Sequence, residues 1–287
     1  MSTMKDKVCI VTGSNSGIGK ETALALANME ATVFMVVRNR ERGEVARDGI
    51  IERTGNRSTD LMVCDLASMA SIRQFTEAFK NKYGRLHVLI NNAGAVFYDR
   101  QITVDGFERT IAVNYLAPFL LTDELLVLLQ ASAPSRVINL TSGLHTSGKI
   151  DFDDLQSEKQ YDGMSVYRNA KLMVVMFTYE LTTRLEGTGV TVNVVQPGFA
   201  ATNLGKNTES RRASLMFKLM RPFQVSAKKA AETSVYLASS PEVEGVTGKY
   251  FKRKQEAISS PISYDRQMQK RLWDLTAELL GLASKTP

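Results

Sequence analysis

Two cysteines and two histidines in 287 residues leave little material for metal chemistry. Cys9, Cys64, His87 and His145 are scattered, with no cluster at metal-ligand spacing, so no metal is expected. Each cysteine sits in an apolar, strand-like run (VCIVTG and LMVCDL) and reads as a buried free thiol, the two in neighbouring strands. No stretch supplies the roughly 18 consecutive apolar residues that a bilayer crossing needs. The apolar run after MSTMKDK breaks at Thr12 and Gly13, so it reads as a first strand and not as a signal peptide. A cytoplasmic protein without a transmembrane segment is the expectation. Repeats and low-complexity segments are also lacking. The net charge of +6 is spread along the chain, with local concentrations at Arg38–Arg42, Arg211–Arg212 and Lys252–Lys254. No aromatic-interleaved basic stripe accompanies them, so nucleic acid is not an expected partner, and most of the charge reads as solvated surface.

What is present is an alternation of short apolar runs with longer amphipathic stretches. Strands are predicted at Val8–Thr12, Thr32–Val37, Thr59–Cys64, Val88–Asn91, Arg136–Leu140, Thr191–Gln196 and Gly248–Phe251. Helices are predicted at Ile18–Met29, Glu41–Thr54, Met69–Tyr83, Phe107–Leu129, Ser165–Leu185 and Ala227–Ala238. Strands alternating with helices demand right-handed crossovers and a parallel sheet. Runs such as VCIVT and VFMVV are apolar throughout, as helices on both faces require. The expected fold is α/β: a single Rossmann-type, doubly wound domain over residues 1–287, with a parallel sheet of about seven strands. Residues from about 199 to 225 break the rhythm and read as a lid. Residues from about 252 to 287 form a C-terminal extension.

Thr12 is followed by Gly13-Ser14-Asn15-Ser16-Gly17-Ile18-Gly19 and then a helix. Glycines there permit a tight turn and close approach of backbone to a pyrophosphate, and the helix N-terminus offers free N–H groups. Position directly after strand one raises this above an ordinary strand–helix turn. At the end of strand two an acidic residue would bind an adenosine ribose and favour NAD. Val36-Val37-Arg38-Asn39 has none. Arg38 can instead pair with a 2′-phosphate through its planar fork, which favours NADP(H), unless it is merely a solvent-facing loop residue.

Further along come Cys64-Asp65-Leu66, Asn91-Asn92-Ala93-Gly94, Asn114, Ser142, Tyr167-x-x-x-Lys171 and Pro197-Gly198. With the glycine loop in front, this ordered set resembles the short-chain dehydrogenase/reductase family over nearly the whole chain. Within it the sequence is most similar to the retinol dehydrogenase-like branch. The stretch Ile150–Leu155 and its following loop lengthen the Ser142–Tyr167 spacing, Arg38-Asn39 follows strand two, and Arg271-Leu272-Trp273-Asp274 through Leu282 is like that branch's C-terminal helix. Membrane-bound members of the branch carry an N-terminal anchor, and none is read here. The resemblance implies that Asp65 contacts the adenine, with Leu66 beside it. It implies that Asn91 through Gly94 line the cofactor cleft, that Pro197, Gly198 and Thr202 meet the nicotinamide end, and that Asn114 holds a water in a proton relay. It also implies that the helices Phe107–Leu129 and Ser165–Leu185 serve as dimer interfaces in many relatives; a homo-oligomer is one outcome, coverage of that face by the C-terminal tail another.

Two positions depart from the family's pattern. Glu30 stands where a helix-ending glycine is usual; a left-handed glutamate would be strained, so a differently built turn is expected. His87 stands where an aspartate often precedes the strand, and reads as a surface substitution without catalytic meaning.

Tyr167 and Lys171 are four apart, which puts both on one helix face. Tyr167 is the expected acid/base and also meets the cofactor with Lys171, whose ammonium should lower the phenol's pKa toward neutrality. Ser142 would stabilise charge on a substrate oxygen. There is no Gly-x-Ser-x-Gly elbow, so Ser142 is not read as a hydrolase nucleophile. His145 either lines the substrate side of the cleft or is a loop residue. The segment Leu215–Phe223 suits an apolar substrate, and with Arg211, Arg212 and Lys218 it also suits a peripheral membrane contact or packing on its own domain. The function expected is NADP(H)-dependent interconversion of an alcohol and a carbonyl compound, with a hydrophobic small-molecule substrate. A catalytically silent NADP(H)-binding sensor or scaffold is the alternative. A light-driven reductase like protochlorophyllide reductase is disfavoured, because that branch carries cysteines around Tyr167 that are lacking here.

Overall fold

The computed structural model describes residues 3–198 and 225–282. Thr202, most of the expected lid and the Leu215–Phe223 segment lie outside these residues. The elements run β1 (Val8–Thr12), α1 (Gly17–Asn28), β2 (Thr32–Val37), α2 (Arg40–Thr54), β3 (Thr59–Val63), α3 (Met69–Lys82) and β4 (Val88–Asn91). Next come α4 (Arg109–Ala131), β5 (Ser135–Leu140), α5 (Gly163–Arg184), β6 (Val190–Gln196), α6 (Ala227–Ser239), β7 (Tyr250–Lys252), β8 (Gln255–Ala257) and α7 (Arg266–Leu279). The sheet order is β3-β2-β1-β4-β5-β6-β7-β8. All pairings are parallel except β7–β8. The chain reverses its winding direction between β1 and β4, and a ligand crevice opens outside the strand ends at such a switch point.

Alternate strand residues feed two core layers, as the period of two requires. Cys9, Val11, Val33, Met35 and Val37 pack under α1, α2 and α6. Ile10, Phe34 and Val36 face the other layer, with α3, α4 and α5. Both thiols are buried and free, and burial pushes each up to about 12. They are not in neighbouring strands: β2 separates them, and they fall in opposite layers.

The sheet has eight strands, one more than the sequence suggested. β8 has only three residues, Gln-Glu-Ala, without apolar alternation. Its hairpin with β7 turns on Arg253 and Lys254, both at positive φ, where glycine or asparagine is the usual signal. α1 does end in a left-handed residue. Glu30 takes φ +67°, so the expectation of a different turn is corrected. The Ala31 N–H closes onto the Leu26 carbonyl, and the Glu30 carboxylate accepts from the Thr3 hydroxyl, which offsets part of the strain. His87 is not a surface residue. Its Nδ1 accepts the Val8 N–H at 3.0 Å, and burial lowers its pKa, so the neutral ring ties β1 to the start of β4.

α4 is apolar and long enough to cross a membrane, with a mean hydropathy of 1.6, yet 67% of that window is buried. It is a core helix packed between α3 and α5. The C-terminal extension covers the outer side of the same layer. Trp273 of α7 packs on Phe119 and Phe177, and the Tyr115 and Thr276 hydroxyls meet at 2.7 Å. The tail thus covers part of the outer face of α4 and α5.

Candidate active site

The loop after β1 is shaped by what its residues lack. Gly13 takes φ +65°, and a Cβ there would stand 3.0 Å from the Ala93 backbone. A Cβ on Gly19 would lie 2.4 Å from Asn92 Nδ2 and 2.5 Å from the Gly13 carbonyl oxygen. Asn92 Nδ2 donates to the Thr12 carbonyl (2.7 Å), while the Thr12 hydroxyl accepts from the N–H groups of Asn92 and Ala93. The ends of β1 and β4 are thereby stitched across the switch point. Gly17 also takes a positive φ, and the Ser16 side chain leaves the first N–H groups of α1 uncapped. Ser14 Oγ is fully buried without a partner. An uncapped helix N-terminus, a glycine turn and a spare hydroxyl together suit a phosphate group.

Arg38, just after β2, is exposed and has no ion-pair partner among the described residues. Asn39 beside it accepts from the Arg42 N–H and caps α2. Asp65 is half-buried after β3 and accepts the Ala67 N–H at 3.0 Å, with Leu66 also half-buried. Asn91 does not line the cleft. It is buried and donates to Thr122 and Asn139, and Asn139 in turn donates to Thr178, a polar ladder joining β4 and β5 to the helices behind. Asn92, Ala93 and Gly94 do reach the cleft side, half-buried beside the glycine loop and the helix that carries Lys171.

Residues 112–116 of α4 form a π-helical turn, a local widening that the regular apolar pattern did not reveal. The turn carries Asn114, which donates to the Thr110 and Ala95 carbonyls at 2.7 Å each. Its Oδ1 accepts the Ala95 N–H at 3.3 Å. A Cβ on Gly94 would stand 2.9 Å from that Oδ1 and 3.4 Å from Lys171 Nζ. Gly94 therefore permits Asn114 and Lys171 to approach one another.

Ser142 leaves β5 half-buried and caps a short 3₁₀ turn, Gly143–Ser147. Tyr167 and Lys171 rise from the first turns of α5, both buried. The Tyr167 phenol lies near enough to the Ser142 side chain for that hydroxyl to favour its ionised form. Lys171 Nζ lies 5.7 Å from the Tyr167 ring centroid and donates to the Leu140 carbonyl at 3.1 Å. Thr141 anchors the same helix by donating to the Lys171 carbonyl at 2.8 Å. Burial is the ruling electrostatic effect. It pushes the Tyr167 phenol up to about 12, with the nearby Ser142 hydroxyl pulling the other way, and the Lys171 ammonium down to about 8. In the protein by itself desolvation thus raises the phenol and outweighs the pull of the Ser142 hydroxyl. At neutral pH the pair holds a protonated phenol and a charged lysine. Such a hydroxyl can give a proton to an oxygen placed beside Ser142.

Pro197 and Gly198 follow β6 at the same end of the sheet, Gly198 with φ +88°. The structure thus gathers Asn114, Ser142, Tyr167 and Lys171 at the carboxyl ends of β4 to β6, alongside the glycine loop. His145 sits in the connection between β5 and α5, within the 3₁₀ turn, and is fully buried there, with a pKa lowered by burial. No local signal marks it, since its partner Ser260 is 115 residues away. Among the described residues no three His, Cys, Asp or Glu side chains gather to hold a metal.

The family model described as short chain dehydrogenase matches residues 7–213. Retinol dehydrogenase 13 of Mus musculus is 44% identical over 287 residues, covering 98% of this chain and 86% of that protein. Retinol dehydrogenase 12 of Homo sapiens is 42% identical over 276 residues, 96% and 87% of the two chains. A crystal structure of an uncharacterized protein from Mycobacterium Paratuberculosis superposes with a TM-score of 0.80 at 29% identity, over 98% of this chain and 96% of that one. The chain therefore belongs to the short chain dehydrogenase family, and within it is a retinol dehydrogenase-like oxidoreductase.

Proposed function

We propose that this oxidoreductase uses NADP(H) to interconvert an alcohol and a carbonyl on an apolar substrate, with Tyr167 as the acid/base. The family uses nicotinamide cofactors, and the cradle of Gly13, Ser14, Gly17 and Gly19 fits the phosphates of one. The observation that carries the chemistry is the buried Tyr167 hydroxyl, beside Ser142 and with Lys171 on the same helix face. When bound, the nicotinamide supplies or accepts the hydride. In the reducing direction Tyr167 gives its proton to the substrate oxygen as charge builds there, and Ser142 Oγ donates a hydrogen bond to that oxygen. Lys171 stabilises the resulting phenolate, and Asn114 orders the polar contacts behind it. Arg38, exposed at the end of β2 where no acid stands and without an ion-pair partner among the described residues, is the residue for a 2′-phosphate. Asp65 and Leu66 border the adenine, and Pro197 and Gly198 the nicotinamide. The apolar character of the substrate draws on the exposed Leu144 beside Ser142 and on the alcohol for which the relatives are named.

The test is cofactor oxidation against a panel of apolar aldehydes and ketones, with NADPH and with NADH. NADPH is expected to be preferred. Arg38→Ala should weaken NADPH by roughly ten- to hundredfold, the worth of a charge-assisted hydrogen bond, and leave NADH alone. Equal use of both cofactors with no effect of Arg38→Ala refutes the NADP assignment. Tight NADPH binding with no turnover of any carbonyl favours the silent sensor.

A further inference from the structure

His145 has both ring nitrogens engaged. The Ser260 N–H donates to Nε2 at 3.2 Å. That places the proton on Nδ1, which donates to the Ser142 carbonyl at 2.7 Å. The ring packs on Tyr250 with centroids 5.2 Å apart, and the Tyr250 hydroxyl donates to Gln196 Oε1 at the end of β6. The other end of the Gln196 amide rests against Gly143, where a Cβ would stand 2.7 Å from Nε2. Gly143 and His145 thus hold the 3₁₀ turn from two sides, immediately after Ser142.

The far end of this chain of contacts is itself fixed. The Ser260 carbonyl accepts from both the N–H and the hydroxyl of Ser263. Ser259 Oγ meets the Tyr179 hydroxyl of α5 at 2.7 Å, and Gln269 of α7 donates to the Ser263 carbonyl. A continuous path leads from the C-terminal extension, through one imidazole, to the carbonyl of the serine beside Tyr167. The imidazole is suited to this because it donates on one side and accepts on the other, and a fully buried neutral ring wastes neither.

We infer that His145 is a positioning residue through which the C-terminal extension holds the backbone of Ser142, and hence its hydroxyl, in place beside Tyr167. The inference rests on the proposed role of Ser142 and Tyr167. Small displacements at a reacting centre are expensive, about a hundredfold in rate for 1 Å.

Ser260→Pro gives one test. The Ser260 φ of −57° lies in proline's range, so the backbone can be kept, while the N–H donor is lost and the ring's Cδ takes its place against Nε2, displacing the imidazole as well. The substitution should lower kcat for carbonyl reduction by about tenfold or more while leaving the NADPH dissociation constant unchanged. Ser260→Ala keeps the N–H and should lose far less. His145→Asn can still donate to the Ser142 carbonyl and should retain more turnover than His145→Phe, which cannot. Wild-type kcat in both Ser260→Pro and His145→Phe would overturn the inference, as would kcat losses that simply track a fall in Tm. If the unaltered enzyme turns over no carbonyl, the proposed reaction fails separately. Amide exchange then decides this point: protection at Leu144 and His145 should drop in Ser260→Pro and not in Ser260→Ala, and unchanged protection in both refutes it.

Discussion

The loops after β1 and after β5 lie at the same end of one sheet and are built on opposite terms. The first is made by omission. Gly13 and Gly19 work because a Cβ at either would strike Ala93, Asn92 or the loop's own backbone. The second is made by side chains recruited from far along the sequence: Ser142 answers to Tyr167, and its carbonyl answers through His145 to Ser260. The difference follows from the chemistry proposed for each. Binding a phosphate needs bare N–H groups and room, which short local sequence supplies. Handling a proton needs groups whose pKa values are set by burial, and burial is a property of the assembled fold.

The sharpest way to separate the two regions is Tyr167→Phe. It should reduce turnover by about 10²- to 10⁴-fold, the usual contribution of a general acid, while NADPH affinity measured by fluorescence titration stays near wild type. A matching loss of affinity would mean that the two loops are not independent. A smaller effect is expected from Lys171→Met in the protein without cofactor. The folded ammonium titrates at about 8, below an ordinary lysine at about 10.4. Between those values the unfolded chain holds a proton that the folded chain has released, so this group makes stability rise as pH climbs from about 8 to 10. The rise amounts to a few kcal/mol at most. Chemical denaturation of the apoprotein across that range should show it, and Lys171→Met should flatten it. Smaller again is Glu30→Gly, which removes a left-handed non-glycine residue at the end of α1. A gain of about 1 kcal/mol is expected in denaturant titrations, with kcat unaltered. A loss would show that the Thr3 contact outweighs the strain.

Much of this architecture could be read from the residues. The order of strands and helices followed from apolar periodicity, and the glycine loop, Ser142, Tyr167 and Lys171 stood out because their chemistry depends on local spacing. What escaped was non-local or atypical. The π turn at Asn114 has the same apolar composition as a regular helix. β8 hid behind the positive-φ residues Arg253 and Lys254, neither a usual turn former. His87 and His145 are polar residues satisfied in the interior, His87 by the Val8 N–H and His145 by the Ser142 carbonyl and the Ser260 N–H. The depth at which Tyr167 is buried was hidden for the same reason, since local spacing shows the lysine and not the desolvation.

The C-terminal helix leaves one practical legacy. Trp273 is the chain's single tryptophan. It is wedged between Phe119 and Phe177, with the Arg184 guanidinium 4.3 Å above its ring. Phe177 and Arg184 belong to the same helix as Tyr167 and Lys171. Intrinsic emission from this protein is therefore a built-in gauge of whether the terminal helix is seated on α5, with no label to attach and no second indole to subtract.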